Sequence, residues 1–516
     1  MMRKSGSRLE EEPALMIRIV SNLARLGVGF LAGLLLIRLL GGRIGLDLVA
    51  LWLLVGSQVG IAGIFLTLTE RSLVRELGRA WHAGPAVFRP VFSTSLLLAG
   101  ALALVAGFVF ALLWYGIDVL DLPEGTTGLA RKIVLAEATM AIVGICGSPY
   151  QALFGVRERF VLQNLVLLAR RTVSLVAIVF VSVDGTAETQ LAEFVTLNAW
   201  LNVGVVIFAV LAQSALEPLA RPVFSKASRR ALQEIMSTFG WNSVVVLFLN
   251  LNVRVVALLV NLLLGMASTV PYQFAIRLSA YARMIAEGTA SGVDAVTVRI
   301  QKDTPERISA WLRKVTEIQA IATLPIGVLI FLAAPTLLQA WLGPVFEDSP
   351  GLLETTSFVT RLIVIQMIIR AVADGWIRVF YGLGLVARYA KVVALVGILQ
   401  PIAIVLLTGV FGPLLALPAL VLVVATAFTQ LVVIPIRLER VRPGFLADIR
   451  AAVKWPLLAT ALAAPLLIPL WEPAGPKWLF GCGSAYVLLL VVVLGRRVKA
   501  LRGPLAVEVK SRLGVN

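Results

Sequence analysis

Apolar runs recur along the whole chain, separated by short polar stretches. A run of about 18 or more apolar residues is long enough to cross a bilayer as a helix, and a helix satisfies its own backbone polar groups there. Read this way, the pattern predicts fourteen spans, over residues 17–40, 46–69, 91–115, 132–156, 160–183, 191–214, 236–264, 272–296, 315–340, 356–380, 391–411, 414–436, 456–471 and 478–495. The connections leave no room for a separate soluble domain of ordinary size. The fold class expected is an all-α polytopic membrane protein.

The polar positions inside these runs carry the chemistry. Arg18, Arg25, Arg170, Arg171, Arg254, Arg277, Arg283, Arg361, Arg370 and Arg378 fall within or at the inner margins of apolar runs, and Arg38 closes the first. A charge at mid-bilayer costs about 2.5–3.5 kcal/mol on the insertion scale. So many arginines imply a water-filled cavity that receives an anion. In span one, Arg18, Asn22, Arg25 and Gly29 share one helical face. In span five, Arg170 and Arg171 follow Gln163 and Asn164 on two adjacent stripes. Neighbouring side chains diverge by about 100°, so only one of these two arginines can aim at a given target. Span seven places Asn250, Arg254 and Asn261 together. Span eight has Arg277, then Arg283 with Glu287 one turn on, a spacing that predicts an ion pair within the helix. Span ten has Arg370, Asp374 and Arg378 in a ladder that predicts a buried ion triad with one surplus positive charge. Arg361 is expected to anchor the outer interface. The candidate binding residues are thus Arg18, Asn22, Arg25, Arg170, Arg171, Arg254, Arg277 and Arg283, with Glu287, Arg370, Asp374 and Arg378 as ion pairs or coupling groups. Glu137, Glu193 and Glu317 are read either as proton carriers or as hydrogen-bonded structural acids.

Composition supports the class. Hydrophobic residues make up 59% of the chain and charged residues 15%, with a mean hydropathy of +0.92. A soluble protein carries about 25% charged residues. The net charge of +17 reads as topology and cargo, not nucleic acid. With the N-terminus in the cytoplasm, only Arg43, Arg131, Lys132 and Lys477 of the 46 basic residues fall in outer loops, where acids such as Asp118, Asp121 and Glu188 gather instead. That asymmetry places both termini in the cytoplasm. Cys146 and Cys482 lie in apolar spans and do not make a disulfide framework. No small-residue cleavage site follows the first span, which is expected to be retained.

Other chemistry is not indicated. No GxxxxGK[ST] run is present, the single histidine is His82, and no His/Cys cluster has metal-ligand spacing. The outer loops are too short for the acid or histidine chemistry of a glycan-assembling membrane enzyme. The sequence therefore predicts neither catalysis nor a cofactor or metal, with an ion gradient or the membrane potential left as the driving force. Span one ends Leu39-Leu40-Gly41 and span seven ends Leu263-Leu264-Gly265. This suggests a repeat: an N-lobe over 1–229, a C-lobe over 230–436, and a basic linker with a further helix pair and cytoplasmic tail over 437–516. Transporters often place their site between such repeats, here a central cationic cavity.

The opening stretch from Arg18, RIVSNLARLGVGFLAGLLLIRLLGG, and the stretch from Leu262, LLLGMASTVPYQFAIRLSAYAR, resemble the openings of the two halves of polysaccharide and lipid-linked oligosaccharide flippases. These are a branch of the multidrug/oligosaccharidyl-lipid/polysaccharide exporter superfamily. The resemblance covers residues 17 to 436. It implies two six-helix lobes around a cationic cavity, alternating access, and a polyprenyl-pyrophosphate-linked glycan as cargo. It matches Arg18 and Arg25 to the family's basic residues on the first helix and Arg277 to one on span eight. The sequence departs from the family in span seven, where many members place an Asp and this chain reads NLNVRVV around Arg254. The function expected is a flippase in a bacterial inner membrane serving surface polysaccharide synthesis. Its partners would be an anionic lipid-linked glycan, membrane lipids and other polysaccharide-assembly proteins. A multidrug antiporter of the same superfamily and a non-transporting scaffold are the alternatives. The antiporter's cationic cargo calls for acids where this chain has arginines.

Overall fold

The computed structural model describes residues 8–157, 159–289, 293, 297, 304–346, 350–383, 385–440 and 443–513. Helix accounts for 90% of the structure, and no strand occurs among the described residues. In chain order the helices are α1 (Arg8–Ile44), α2 (Leu46–His82), α3 (Pro85–Tyr115), α4 (Thr127–Val156), α5 (Phe160–Val179), α6 (Ala187–Leu216), α7 (Arg229–Leu264) and α8 (Met266–Thr289). They continue with α9 (Pro305–Leu332), α10 (Ala334–Phe346), α11 (Pro350–Gly382), α12 (Val386–Phe411), α13 (Ala416–Ala427), α14 (Ile434–Glu439), α15 (Phe445–Ala463) and α16 (Pro476–Leu513). Among the described residues, eleven helices are long and apolar enough to cross a membrane. The chain is a multi-pass membrane protein.

Each expected span overlies helix, but several boundaries differ for physical reasons. The helices α2 and α16 run on to His82 and Leu513, well past 69 and 495, because hydropathy reads only the part of a helix that lies in lipid. The single helix expected over 315–340 is two. It breaks at Ala333, where φ and ψ are −93° and 14°, because Pro335 brings no N–H to the ladder and opens α10 instead. The span expected over 414–436 is interrupted by a π turn over Phe428–Val433 between α13 and α14. Glycine makes the tightest corner between α1 and α2, where Gly45 takes φ +81°. That region suits only a residue without a side chain.

Two compact units divide the chain. One holds Ile17–Gln273 and Gly397–Gly409; the other is built mainly of Phe274–Val396 and Val410–Asn516. This partition groups α7 with the first six helices, whereas the lobes expected from the repeat begin a new half at residue 230. In the first unit α4 packs against α2, α3 and α6, and α7 against α2. One core of this unit joins Leu73, Leu77, Phe88, Phe92, Tyr150 and Ile235. In the second unit α9 packs against α11 and α15. Gly375 of α11 lets that helix lie close on α9, since a Cβ there would sit 3.2 Å from the Thr316 Cα. The buried carboxylate of Asp448 on α15 accepts from Ser309 and Arg313 of α9 at 2.5 Å each.

Candidate functional site

The first unit carries a cationic seam between α1 and α5. The two helices run parallel, as three contacts along their length show. The Asn164 amide donates to Ser21 Oγ at 2.9 Å. The Arg171 stem lies over Gly29, its Cγ and Cδ 3.9 and 4.0 Å from where a Cβ on that glycine would sit. At the far end, Arg43 donates to the Ile178 carbonyl at 2.9 Å. Gly29 is buried and Arg25, one turn before it, is half-buried. Arg25 and Arg171 stand within electrostatic reach of each other, so like charges face one another across the seam. Arg170 and Arg254 are half-buried on α5 and α7. Arg171 is exposed.

A polar line continues from this seam. Ser174, one turn beyond Arg170 and Arg171, donates to Asn198 Oδ1 on α6 at 2.8 Å. Asn202 donates to the same oxygen at 3.1 Å. On the α2–α4 interface, the Trp52 indole donates to Glu137 at 3.3 Å. Glu193 accepts from the Ser182 backbone at 3.0 Å and closes the end of α5, which gives it a structural task. Asn261, placed in the polar stripe of span seven, is tied down elsewhere. It donates to the Asp121 carbonyl at 2.8 Å and accepts from the Asp121 N–H at 3.0 Å. The Asp121 carboxylate in turn accepts from the Met266 N–H at 2.6 Å and caps the start of α8.

The second unit carries a separate cluster. Arg283 of α8 meets Asp374 of α11 at 4.0 Å. Asp374, expected in the ladder of its own helix, thus also faces an arginine of a neighbouring helix. The side chain of Glu287, the partner expected within α8, lies outside the described residues, as do those of Arg18 and Asn22. Arg370 is buried at 7% exposure, and Arg277 and Arg378 are half-buried. Tyr389 of α12 is fully enclosed within electrostatic reach of Arg370, Asp374 and Arg283. Gln430, carried on the π turn, donates to the Tyr389 hydroxyl at 3.1 Å. Its Oε1 is buried without a hydrogen-bond partner among the described residues. Single π turns inside helices concentrate at functional sites. Tyr389 and Gln430 escaped the sequence reading because neither is charged. The one available signal was a glutamine inside the apolar run of α13 and α14. Arg361 is held against a neighbouring segment: its guanidinium stacks 3.4 Å over Trp471 and donates to the Trp471 carbonyl at 2.8 Å.

An apolar groove of 620 Å³ runs between α9 and α16, lined by residues including Ile321, Pro325, Leu329, Tyr486, Leu490 and Leu494. Among its lining residues, the Tyr486 hydroxyl donates to the Pro325 carbonyl at 3.0 Å. Its apolar lining suits a hydrocarbon chain.

No family model matches the chain, and no curated protein matches it. Solved structures do. A lipid II flippase, MurJ, in an inward closed conformation superposes with a TM-score of 0.69 at 12% identity, covering 94% of this chain and 99% of its own. The Vibrio cholerae MATE transporter VcmN gives a TM-score of 0.55 at 13% identity, over 86% of this chain and 100% of its own. A transporter of the multidrug/oligosaccharidyl-lipid/polysaccharide superfamily from Pyrococcus furiosus, described as having a binding pocket of reversed polarity, gives 0.51 at 13% identity over 88% and 95%. At these identities the likeness is one of fold: the chain has the fold shared by these transporters.

Proposed function

We propose that this protein is a flippase for an anionic lipid-linked saccharide, a polyprenyl-pyrophosphate glycan of surface polysaccharide synthesis. It would move this cargo from the inner to the outer leaflet of a bacterial inner membrane by alternating access, with both termini in the cytoplasm. The observation that carries the reading is the α1–α5 seam, where Arg25 and Arg171 bring like charges together inside a membrane span. Like charges brought together where the dielectric is low repel each other more strongly than in water. A doubly charged phosphate between them turns that repulsion into attraction. The planar guanidinium donates paired hydrogen bonds to phosphate oxygens and keeps its charge at any physiological pH. Arg170 and Arg254 are proposed to extend the positive field of the first unit and Arg277 to contribute to that of the second, with Arg18 and Asn22 as the proposed inner entrance. In the second unit Asp374 holds Arg283, so the pair can exchange with an arriving anion. The apolar groove between α9 and α16 takes the lipid tail while the head crosses.

The membrane potential suffices as a driving force. With the inside negative, a divalent anion moving outward gains about 4–5 kcal/mol per 100 mV when its charge crosses uncompensated. The antiporter reading is weaker, since a cationic drug would be repelled where this cargo is held.

The test is reconstitution into vesicles with a fluorescent polyprenyl-pyrophosphate saccharide and, in parallel, a cationic dye. Movement of the saccharide that Arg25→Ala abolishes, with the protein still in the membrane, supports the reading. Movement of the dye alone, or full saccharide transport by the variant, overturns it. Restoration of surface polysaccharide in cells lacking a flippase would identify the glycan.

A further inference from the structure

The connector between α6 and α7 has a constitution that neither the transport path nor the packing of the first unit explains. Residues 218–233, PLARPVFSKASRRALQ, contain four basic residues, Arg221, Lys226, Arg229 and Arg230, and no acid. All four are exposed. Phe224 lies among them, 57% exposed, and Leu232 and Met236 follow at 38% and 50%.

This is not a loose loop. The Val223 N–H donates to Ser93 Oγ and the Ser228 N–H donates to Thr94 Oγ1, each at 3.1 Å. Ser93 and Thr94 are buried on α3. Ala220, Ala231 and Ile235 are buried in the core that Leu73 and Phe88 share. Ser228 caps α7 by accepting from the Ala231 N–H at 3.1 Å. The backbone is thus held to the protein while the basic and aromatic side chains point away from it.

Nearby acids are already engaged. Glu217 is buried between Arg157 and Arg159, each at 2.7 Å. Glu234 meets Arg79 at 2.7 Å and Arg230 at 3.3 Å. No acid among the described residues pairs with Arg221, Lys226 or Arg229.

The connector also begins and ends at membrane spans. The α6 span closes at Leu216, and the apolar part of α7 opens at Ser243. Between them α7 kinks at Gly240, where φ and ψ are 15° and −134°, so the segment before it departs from the axis of the span. Exposed apolar side chains among Lys and Arg at the depth where spans end match the chemistry of an anionic lipid surface: phosphates for the bases, the acyl boundary for Phe224, Leu232 and Met236.

We propose that the α6–α7 connector is a preformed binding surface for anionic phospholipid headgroups, with Phe224 seated at the headgroup–acyl boundary. The surface holds the inner ends of α6 and α7 to the leaflet by charge and by insertion together. Each basic residue removed should lower the preference for an anionic over a zwitterionic lipid by about fivefold.

The test uses the full-length protein carrying Cys146→Ala, Cys482→Ala and Phe224→Cys, spin-labelled at position 224. It is placed in nanodiscs of phosphatidylcholine alone or mixed with phosphatidylglycerol. In mixed discs the label should be accessible to oxygen and shielded from an aqueous nickel complex, and it should move toward water in phosphatidylcholine alone. In a second measurement, native mass spectrometry of the otherwise wild-type protein from mixed discs should show retained phosphatidylglycerol. The variant Arg221→Gln/Lys226→Gln/Arg229→Gln should lose that enrichment while α6 and α7 remain folded, since none of the three side chains is buried. A label equally open to the nickel complex in both discs would overturn the proposal, and is what an acidic protein partner would give. Undiminished phosphatidylglycerol retention by the triple variant would overturn it as well.

Discussion

Gly29 is the position at which the α1–α5 seam can be tested without touching a charge. A Cβ at Gly29 would stand 3.9 and 4.0 Å from the Arg171 stem, an ordinary van der Waals distance. Gly29→Ala should therefore keep Arg171 in place and gain up to about 1 kcal/mol of helix propensity. Gly29→Leu is different. Its branched group must occupy the space where Cγ and Cδ of Arg171 now lie, and the arginine has to leave. A hydrogen bond to a charged group contributes about 1.5–3 kcal/mol. Losing one such bond to the cargo lowers transport efficiency about tenfold, and losing a bidentate pair about 150-fold. The assay is vesicle transport of the fluorescent saccharide, run beside thermal unfolding in detergent. The expected pattern is near-normal transport for Gly29→Ala and transport reduced to the level of Arg171→Ala for Gly29→Leu, with both glycine variants at least as stable as wild type. Equal transport by the two glycine variants would refute the reasoning, and so would full activity of Arg171→Ala.

Four further outcomes are expected. Glu217→Gln leaves Arg157 and Arg159 without their shared carboxylate; with the arginine side chains 36% and 26% exposed, the cost is about 1–3 kcal/mol, read as a lower unfolding midpoint. Gly265→Ala forces a side chain onto φ +78° and within 2.8 Å of Asp121 Oδ2. This should cost at least about 1–2 kcal/mol, measurable in the same melts. A double-mutant cycle of Arg283→Ala and Asp374→Ala should give a coupling of at most about 1 kcal/mol, because the pair is long at 4.0 Å; a coupling of several kcal/mol would mark a structural lock instead of an exchangeable partner. Leu490→Trp narrows the groove between α9 and α16 and should slow cargo with a long polyprenyl tail while sparing a short-tailed analogue, and equal slowing of both would remove the groove from the transport path.

The helices were legible because the bilayer imposes one demand on every span, a long run of apolar residues, and that demand is written locally. Arg25 and Gly29 were legible for the same reason, as a polar face on a helix that would otherwise meet lipid. Partners were not. Asn164 with Ser21, Arg171 with Gly29 and Arg283 with Asp374 join residues far apart in the chain, and helical spacing reports only neighbours on one helix. For Arg283 it pointed to Glu287 within α8 and gave no sign of Asp374, which meets it from α11. Asn261 looked like part of a stripe because its position in α7 fits one, yet its task is to hold the backbone of Asp121. Helix extensions into water, such as the end of α2, and the π turn carry no hydropathy signal.

The π turn over Phe428–Val433 amounts to one residue more than an α-helix would use over the same rise. It absorbs that surplus locally, so the helices on either side keep their own registers. A one-residue deletion within it would let an unbroken helix run from Ala416 to Glu439. Every lipid-facing and core-facing position outside the turn would stay where it is. What would vanish is the local bulge that delivers Gln430 to Tyr389. At this point in the chain, the length of the polypeptide itself, counted in single residues, sets whether the polar cluster is complete.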